Sequence, residues 1–409
     1  MEALVSRRRR RPHTVVRRAA LASAALLALT ACGGGGGSDD GSQDPIRILF
    51  VGGKSGPTAQ IVADVTRGTQ AAIDAINDDG GVDGRQLELE VLDDAGDPTR
   101  AVSELQKRLS SGDKPDLVMP GVTSAESLAM LPVLTRQKII SANNAASPLL
   151  NDPEKYPYHF GYTPSTDRQQ GGLPANLKEL GAKKVVALVG NDEYGKGMGA
   201  AVEQNLEGSG IDVTVETFNL ADLDLSVSYE RALSKDPDAI YFEAIGEPAQ
   251  RLVKAREVVG ATDVPTLGGF GIFASAGGPS VFASEKANEN LWTQVFSAQK
   301  YVPEADRSDE LKTFLAGGGA DGYKGGVLSP MISFDIANIY AAAAEAAGST
   351  DGDAVKKALE DPDTEYPELL LWSEHHWTAD DHMPNPKSSD LSMVPRGEIV
   401  DGMFKPIGG

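Results

Sequence analysis

The sequence holds one cysteine, Cys32, in 409 residues. No disulfide can form within the chain, and no cysteine remains to act as a nucleophile in a folded body. Long apolar runs are also missing. Beyond residue 29 none reaches the roughly 18 residues that a bilayer-spanning helix needs. Positive charge is scarce: the formal net charge is −21 and the pI is about 4.7. Such a surface argues against nucleic acid or anionic headgroups as the main partner. No short-period repeat is visible, which argues against a solenoid.

Signatures of chemistry are missing as well. There is no HExxH, no G-x-S-x-G and no G-x-G-x-x-G after a strand. The five histidines are His13, His159, His375, His376 and His382. His376 and His382 with Asp380 and Asp381 carry metal-ligating atoms, yet exposed polar loops often do. Neither a metal nor a cofactor is expected. Asp93-Asp94 would be the acid pair of an exported enzyme, but adjacent carboxylates on a strand face opposite ways. No catalytic residue is expected.

What is present begins with a targeting pattern. Arg7 to Arg11, with Arg17 and Arg18, make a basic region, and residues 19–29 a short apolar one. Leu29-Thr30-Ala31-Cys32 looks like a bacterial lipobox, which implies a lipid on Cys32. Residues 1–31 read as a signal peptide and 32–45 as a tether. A Gly/Ser/Asp run cannot bury apolar surface. Two acyl chains anchor stably where one does not, so the lipid would hold an acidic chain to the membrane.

From residue 46 the hydrophobic pattern alternates between strand and helix. Strands are expected at 46–51, 87–92, 117–119 and 138–141, with helices at 58–77, 101–109 and from 124. The pattern restarts with strands at 184–189, 213–218, 239–242 and 266–268 and helices at 198–206, 225–233 and 248–259. Residues 291–296 read as a return strand, and 309–315 and 330–347 as helices. Strands separated by helices of 10–20 residues imply βαβ units and parallel sheets. The fold class is therefore α/β, in two lobes, with Tyr162-Thr163-Pro164-Ser165 as a hinge between them.

Ligands bind at the carboxyl ends of strands in open parallel sheets. That selects Ser55 in the Gly-rich loop 53–57, which lacks P-loop spacing. It selects Thr123 and Ser124, where Thr123-x-x-Glu126 fits a capping box and leaves N–H groups free for an anion. It selects Asn143, Asn144 and Ala145, whose small and amide side chains suit a polar ligand. From the second lobe it selects Tyr194, Glu243 and Phe270. Each loop also has an ordinary structural reading, as cap or turn.

These loops resemble the branched-chain amino acid (Leu/Ile/Val) class of periplasmic binding proteins of ABC importers, type I fold. Ser55-Gly56-Pro57, Asn77-x-x-Gly80-Gly81-Val82-x-Gly84-Arg85, Asp93-Asp94-x-x-Asp97-Pro98, Thr123-Ser124-Ala125, Asp167-x-x-Gln170-Gly171 and the run from Asp192 to Tyr194-Gly195 follow in the family's order. The resemblance implies two Rossmann-like lobes joined by three hinge crossovers. Residues 46–163 plus 297–372 would form one, and 164–296 plus 373–409 the other. It implies that Ser124 and residues 143–146 hold a ligand carboxylate. An amino acid or a related small polar solute would lie between closing lobes, and an ABC permease and its ATPase would receive it. A lipid-anchored sensor that regulates a membrane receptor or kinase is the alternative. Amino-acid-binding members often place an acid where this sequence has Phe270. An ammonium there would need Glu243 or Asp192, or a cation–π face on Phe270. An amide, a urea-like compound, an aromatic acid or a short peptide-like solute is equally open.

Overall fold

A computed structural model describes residues 44–275, 289–323, 326–372, 377–387, 390–394 and 397–406. The signal segment, Cys32 and the tether to residue 43 lie outside the described residues, as do His13, His375 and His376. Among the described residues no helix is long and apolar enough to cross a membrane.

The first lobe grows around β1 (Ile46–Gly52), whose sequence IRILFVG is apolar on both faces and almost wholly buried. Such a run belongs inside a parallel sheet covered on both sides. The sheet order is β2-β1-β3-β4-β5, with β2 (Leu87–Asp93), β3 (Leu117–Pro120), β4 (Ile140–Asn143) and β5 (His159–Gly161). The helices α1 (Ala59–Asp78), α2 (Pro98–Leu109) and α3 (Ser124–Gln137) link its first four strands.

After α4 (Thr166–Gln169) and α5 (Leu173–Glu179) the pattern repeats. The strands β6 (Lys184–Gly190), β7 (Asp212–Phe218), β8 (Ala239–Glu243), β9 (Thr266–Gly268) and β10 (Leu291–Phe296) pair in parallel. Between them run α6 (Glu193–Leu206), α7 (Ser226–Leu233), α8 (Glu247–Val258) and α9 (Phe270–Ser275).

The chain then returns to the first lobe as α10 (Asp309–Gly317), α11 (Leu328–Ala347) and α12 (Gly352–Leu359). α11 is buried along most of its length and lies on α1. A Cβ at Gly68 would strike the Pro330 carbonyl, so the two helices meet backbone to backbone there. Leu391–Val394 (β11) joins the second sheet antiparallel to β10, and β12 (Gly397–Val400) pairs with β13 (Met403–Pro406) as a hairpin.

The stretch 373–409 was expected in the second lobe, yet its described part divides. Trp377 and Met383 are buried among first-lobe residues. Trp377 Nε1 donates to the Gly161 carbonyl (3.0 Å), and Gly161 N–H donates to the His382 carbonyl (2.9 Å). The open edge of β5 draws residues 377–383 there, because its polar backbone must be satisfied.

Three passages between the sheets come together beside α11, two of them on Asp335 and the third through Trp372. The Tyr162 hydroxyl donates to Asp335 Oδ2, Leu371 N–H to the same oxygen and Leu370 N–H to Oδ1, each at 2.9 Å. Trp372 Nε1 donates to the Tyr162 carbonyl at 3.2 Å, and its ring meets Phe296 edge-on at 5.4 Å. Residues 162, 296 and 372 mark the three passages, so this buried knot is where the lobes are joined.

Candidate ligand-binding site

The carboxyl ends of both sheets face a cavity of about 40 Å³, measured as the space open to the centre of a water molecule. Its walls come from both lobes and from the crossovers between them.

The first wall is built on α3. β3 ends at Pro120, and Gly121 turns the chain at φ +74°, a conformation that suits glycine. Thr123 caps α3: its Oγ1 accepts from Glu126 N–H at 3.3 Å. Glu126 folds back, and its Oε2 accepts from Thr123 N–H (2.9 Å), Val122 N–H (3.2 Å) and the Thr123 hydroxyl (2.7 Å). The expected capping box is therefore present, and it occupies Thr123 fully. Ser124 lines the cavity, and its Oγ accepts from Ser147 N–H at 3.2 Å. Ser124 N–H and Ala125 N–H have no acceptor among the described residues. That is the usual state of a helix N-terminus.

Beneath this loop lies Asp94, fully buried against Glu126. Burial first, and Glu126 second, push its pKa up to about 7. Glu126 Oε1 and Asp94 Oδ2 have no other hydrogen-bond partner. A proton held on Asp94 lets that carboxyl stay buried beside Glu126.

Asn143 does not reach the cavity. Its Nδ2 donates to the Pro120 carbonyl (3.0 Å), the Gly121 carbonyl (3.3 Å) and Ser127 Oγ (2.6 Å), and Oδ1 accepts from Ala145 N–H (3.2 Å). It is a strut that fixes loop 120–123 to β4. Asn144 and Ala145 do line the cavity, and Asn144 Nδ2 donates to Ser329 Oγ at 3.0 Å. Ser55 lies away from it, exposed, with its hydroxyl donating to Asp93 Oδ2 at 3.2 Å. Its loop serves closure instead: a Cβ at Gly246 would stand 2.9 Å from the Pro57 carbonyl, so the lobes already touch there.

The second wall comes from α6, β8 and α9. Tyr194 and Phe270 line the cavity with Ile245 and Gly271. Phe270 stacks on Phe296 with centroids 4.6 Å apart and planes at 28°. Asp192 caps α6, accepting from Gly195 N–H at 2.9 Å. Glu243 is fully buried one layer behind, and side chains at Gly269 or Gly271 would collide with its carboxyl. Tyr241 OH donates to its Oε2 (3.3 Å), Ala244 N–H to its Oε1 (3.0 Å), and it meets Tyr194 OH. Burial pushes its pKa up to about 8.

Of the residues selected from sequence, Ser124, Asn144, Ala145, Tyr194 and Phe270 share the cavity, while Ser55, Thr123, Asn143 and Glu243 stand outside its wall. The sequence reading had not selected Thr163, Gln169, Ile245, Phe296, Leu328 and Ser329, which also line it. Three of these lie in stretches that the sequence marks: Thr163 in the hinge, Phe296 at the end of the return strand 291–296, and Gln169 beside Gln170 in Asp167-x-x-Gln170. Thr163 Oγ1 and Gln169 Oε1 are buried with no hydrogen-bond partner. His382 is buried too, facing the His159 carbonyl and Glu360 Oε1, both at 2.9 Å. Asp381 pairs with Arg168 at 3.0 Å. Among the described residues no group of side chains is arranged to hold a metal.

Residues 45–389 match the family model described as periplasmic binding protein. A Leu/Ile/Val-binding protein of Rhizobium johnstonii is 30% identical over 201 residues, 48% of this chain and 54% of that relative. The chain thus matches about half the length of that relative. A periplasmic binding protein type 1 from Bordetella pertussis superposes with a TM-score of 0.75 at 19% identity, covering 86% of this chain and 96% of that one. A solute-binding protein of an ABC transporter from Rhodopseudomonas palustris, in complex with p-hydroxybenzoic acid, superposes with a TM-score of 0.73 at 20% identity over 88% and 95% of the two chains. These structures share the fold.

Proposed function

The chain belongs to the periplasmic binding protein family, in its branched-chain amino acid, type I class, and from that premise we propose that it is the extracytoplasmic solute receptor of an ABC importer. The family is one of solute-binding proteins, not of enzymes. The observation that carries the proposal is a single cavity whose walls come from both lobes, next to a hinge where all three crossovers meet. A solute held there touches both lobes at once, so binding favours the closed arrangement. The ligand is an amino acid or a related small solute, held through Ser124, Asn144, Ala145, Tyr194 and Phe270. Thr123, Asn143 and Glu243 support those residues from behind, and Ser55 stands apart in the loop that meets Gly246. The lobes are residues 46–163 plus 297–372 and 377–383, and 164–296 plus the strand that returns at 391–394. Cys32 carries the lipid that holds the protein on the outer face of the cytoplasmic membrane, and a permease–ATPase complex takes the solute.

A thermal-shift screen of the full chain against amino acids, amides, polyamines, aromatic acids and short peptides tests this. A solute at 100 times its dissociation constant adds about 2.7 kcal/mol, a clear rise in Tm. At least one small solute is expected to give that rise; a screen with none would contradict the reading. Fatty-acid labelling of cells should mark the chain and be lost in Cys32→Ser.

A further inference from the structure

Resting on the reading of this cavity as the solute site, we infer that it is built for a small carboxylate with an apolar or aromatic body and no ammonium group. The first support is charge. No Asp, Glu, Lys, Arg or His is among the described residues that line the cavity. An ammonium drawn out of water needs an anionic partner or several acceptors, and leaving it without them is costly.

The nearby acids do not supply that partner. The Asp192 carboxylate caps α6. Glu243 lies behind Gly269 and Gly271, with its oxygens turned to Tyr241, Tyr194 and backbone N–H groups. Burial keeps it protonated at neutral pH, since its pKa stands near 8, so it offers no countercharge. Of the two unpartnered oxygens among the described residues that line the cavity, Gln169 Oε1 and the Thr163 hydroxyl, only the amide oxygen is a pure acceptor, and it is neutral. It suits a hydroxyl or amide hydrogen on the solute, not three ammonium hydrogens.

The second support is where the donors lie. Ser124 N–H, without an acceptor among the described residues, heads a helix of 14 residues, whose N-terminus carries partial positive charge. The Ser124 hydroxyl accepts from Ser147 N–H and keeps its own hydrogen to donate. The Thr163 hydroxyl, 5% exposed, has no partner. These donors match a carboxylate's acceptors. The third support is the remaining wall. The Phe270–Phe296 stack, with Leu328 and Ile332, is apolar and gives a flat face to an aromatic or branched body.

The test is calorimetric titration of the full chain with matched pairs: 4-methylpentanoate against L-leucine, and 3-phenylpropanoate against L-phenylalanine. The expected result is binding of at least one ammonium-free member, tenfold or more tighter than its amino partner. Phe270→Asp, which puts an anion in the wall, should shrink or reverse that ratio. If that variant does not fold, Phe270→Leu reports instead: it should weaken 3-phenylpropanoate more than 4-methylpentanoate. Amino partners that bind as tightly or tighter would overturn the inference and leave the solute-receptor reading intact. So would binding of an uncharged solute with neither carboxylate series. No binding of any small solute would overturn both.

Discussion

At the scale of single residues, buried acids beside the cavity set how the fold responds to pH. Glu243 and Asp94 have pKa values pushed up to about 8 and about 7. The unfolded chain releases these protons near pH 4, while the folded chain keeps them. Between those limits the folded state holds more protons, so stability falls as pH rises from about 4 to 8 and levels off above. Glu243→Gln removes one such slope, while Asp94 and Asp335, which burial also pushes up to about 7, keep theirs. Melting curves at pH 5 and pH 8.5 should show a smaller drop in Tm for that variant than for the parent. An equal drop would mean that Glu243 is ionised in the fold. None of this was legible in the sequence. Glu243 counted there as a strand-end ligand because strand ends point to sites; its burial depends on Gly269 and Gly271, which leave room for its carboxyl. Asn143 misled in the same way, since an amide after a strand serves equally as a strut.

At the scale of elements, local patterns were read well where they were strong. The period of two against 3.6 residues separated strands from helices in both lobes, and Thr123-x-x-Glu126 announced the head of α3. The short pieces escaped. β5 has three residues and α4 four, too few to show a period, and β11 is held by its pairing to β10, not by its own sequence. Close approaches of glycine are another feature that a sequence hides. Gly68→Ala would drive a methyl into the Pro330 carbonyl between α1 and α11. It should lower stability by about 1–3 kcal/mol, measured by urea unfolding. Gly246 has φ +77° and faces Pro57 across the cleft. Gly246→Ala should weaken solute affinity by holding the lobes apart. A lower Tm with unchanged affinity would limit Gly246 to a local role.

The whole molecule depends on how two lobes are joined. The sequence showed two sets of βα units and a hinge at 162–165. It did not show that Asp335, far along the chain, ties two of the crossovers together through Tyr162, Leu370 and Leu371, because the bond to Tyr162 spans 173 residues. Asp335→Ala would strand the buried Tyr162 hydroxyl and Leu371 N–H and the half-buried Leu370 N–H. Each unmet donor costs about 1–3 kcal/mol, so unfolding free energy should drop by several kcal/mol. A small effect on stability would show that the knot is not what joins the lobes. The central claim is that these lobes close on a small solute. Its most direct test is the radius of gyration of the full chain, by small-angle X-ray scattering, without solute and at saturation with the solute that gives the largest thermal shift. The account predicts a smaller radius at saturation, and an unchanged radius at proven saturation would contradict it.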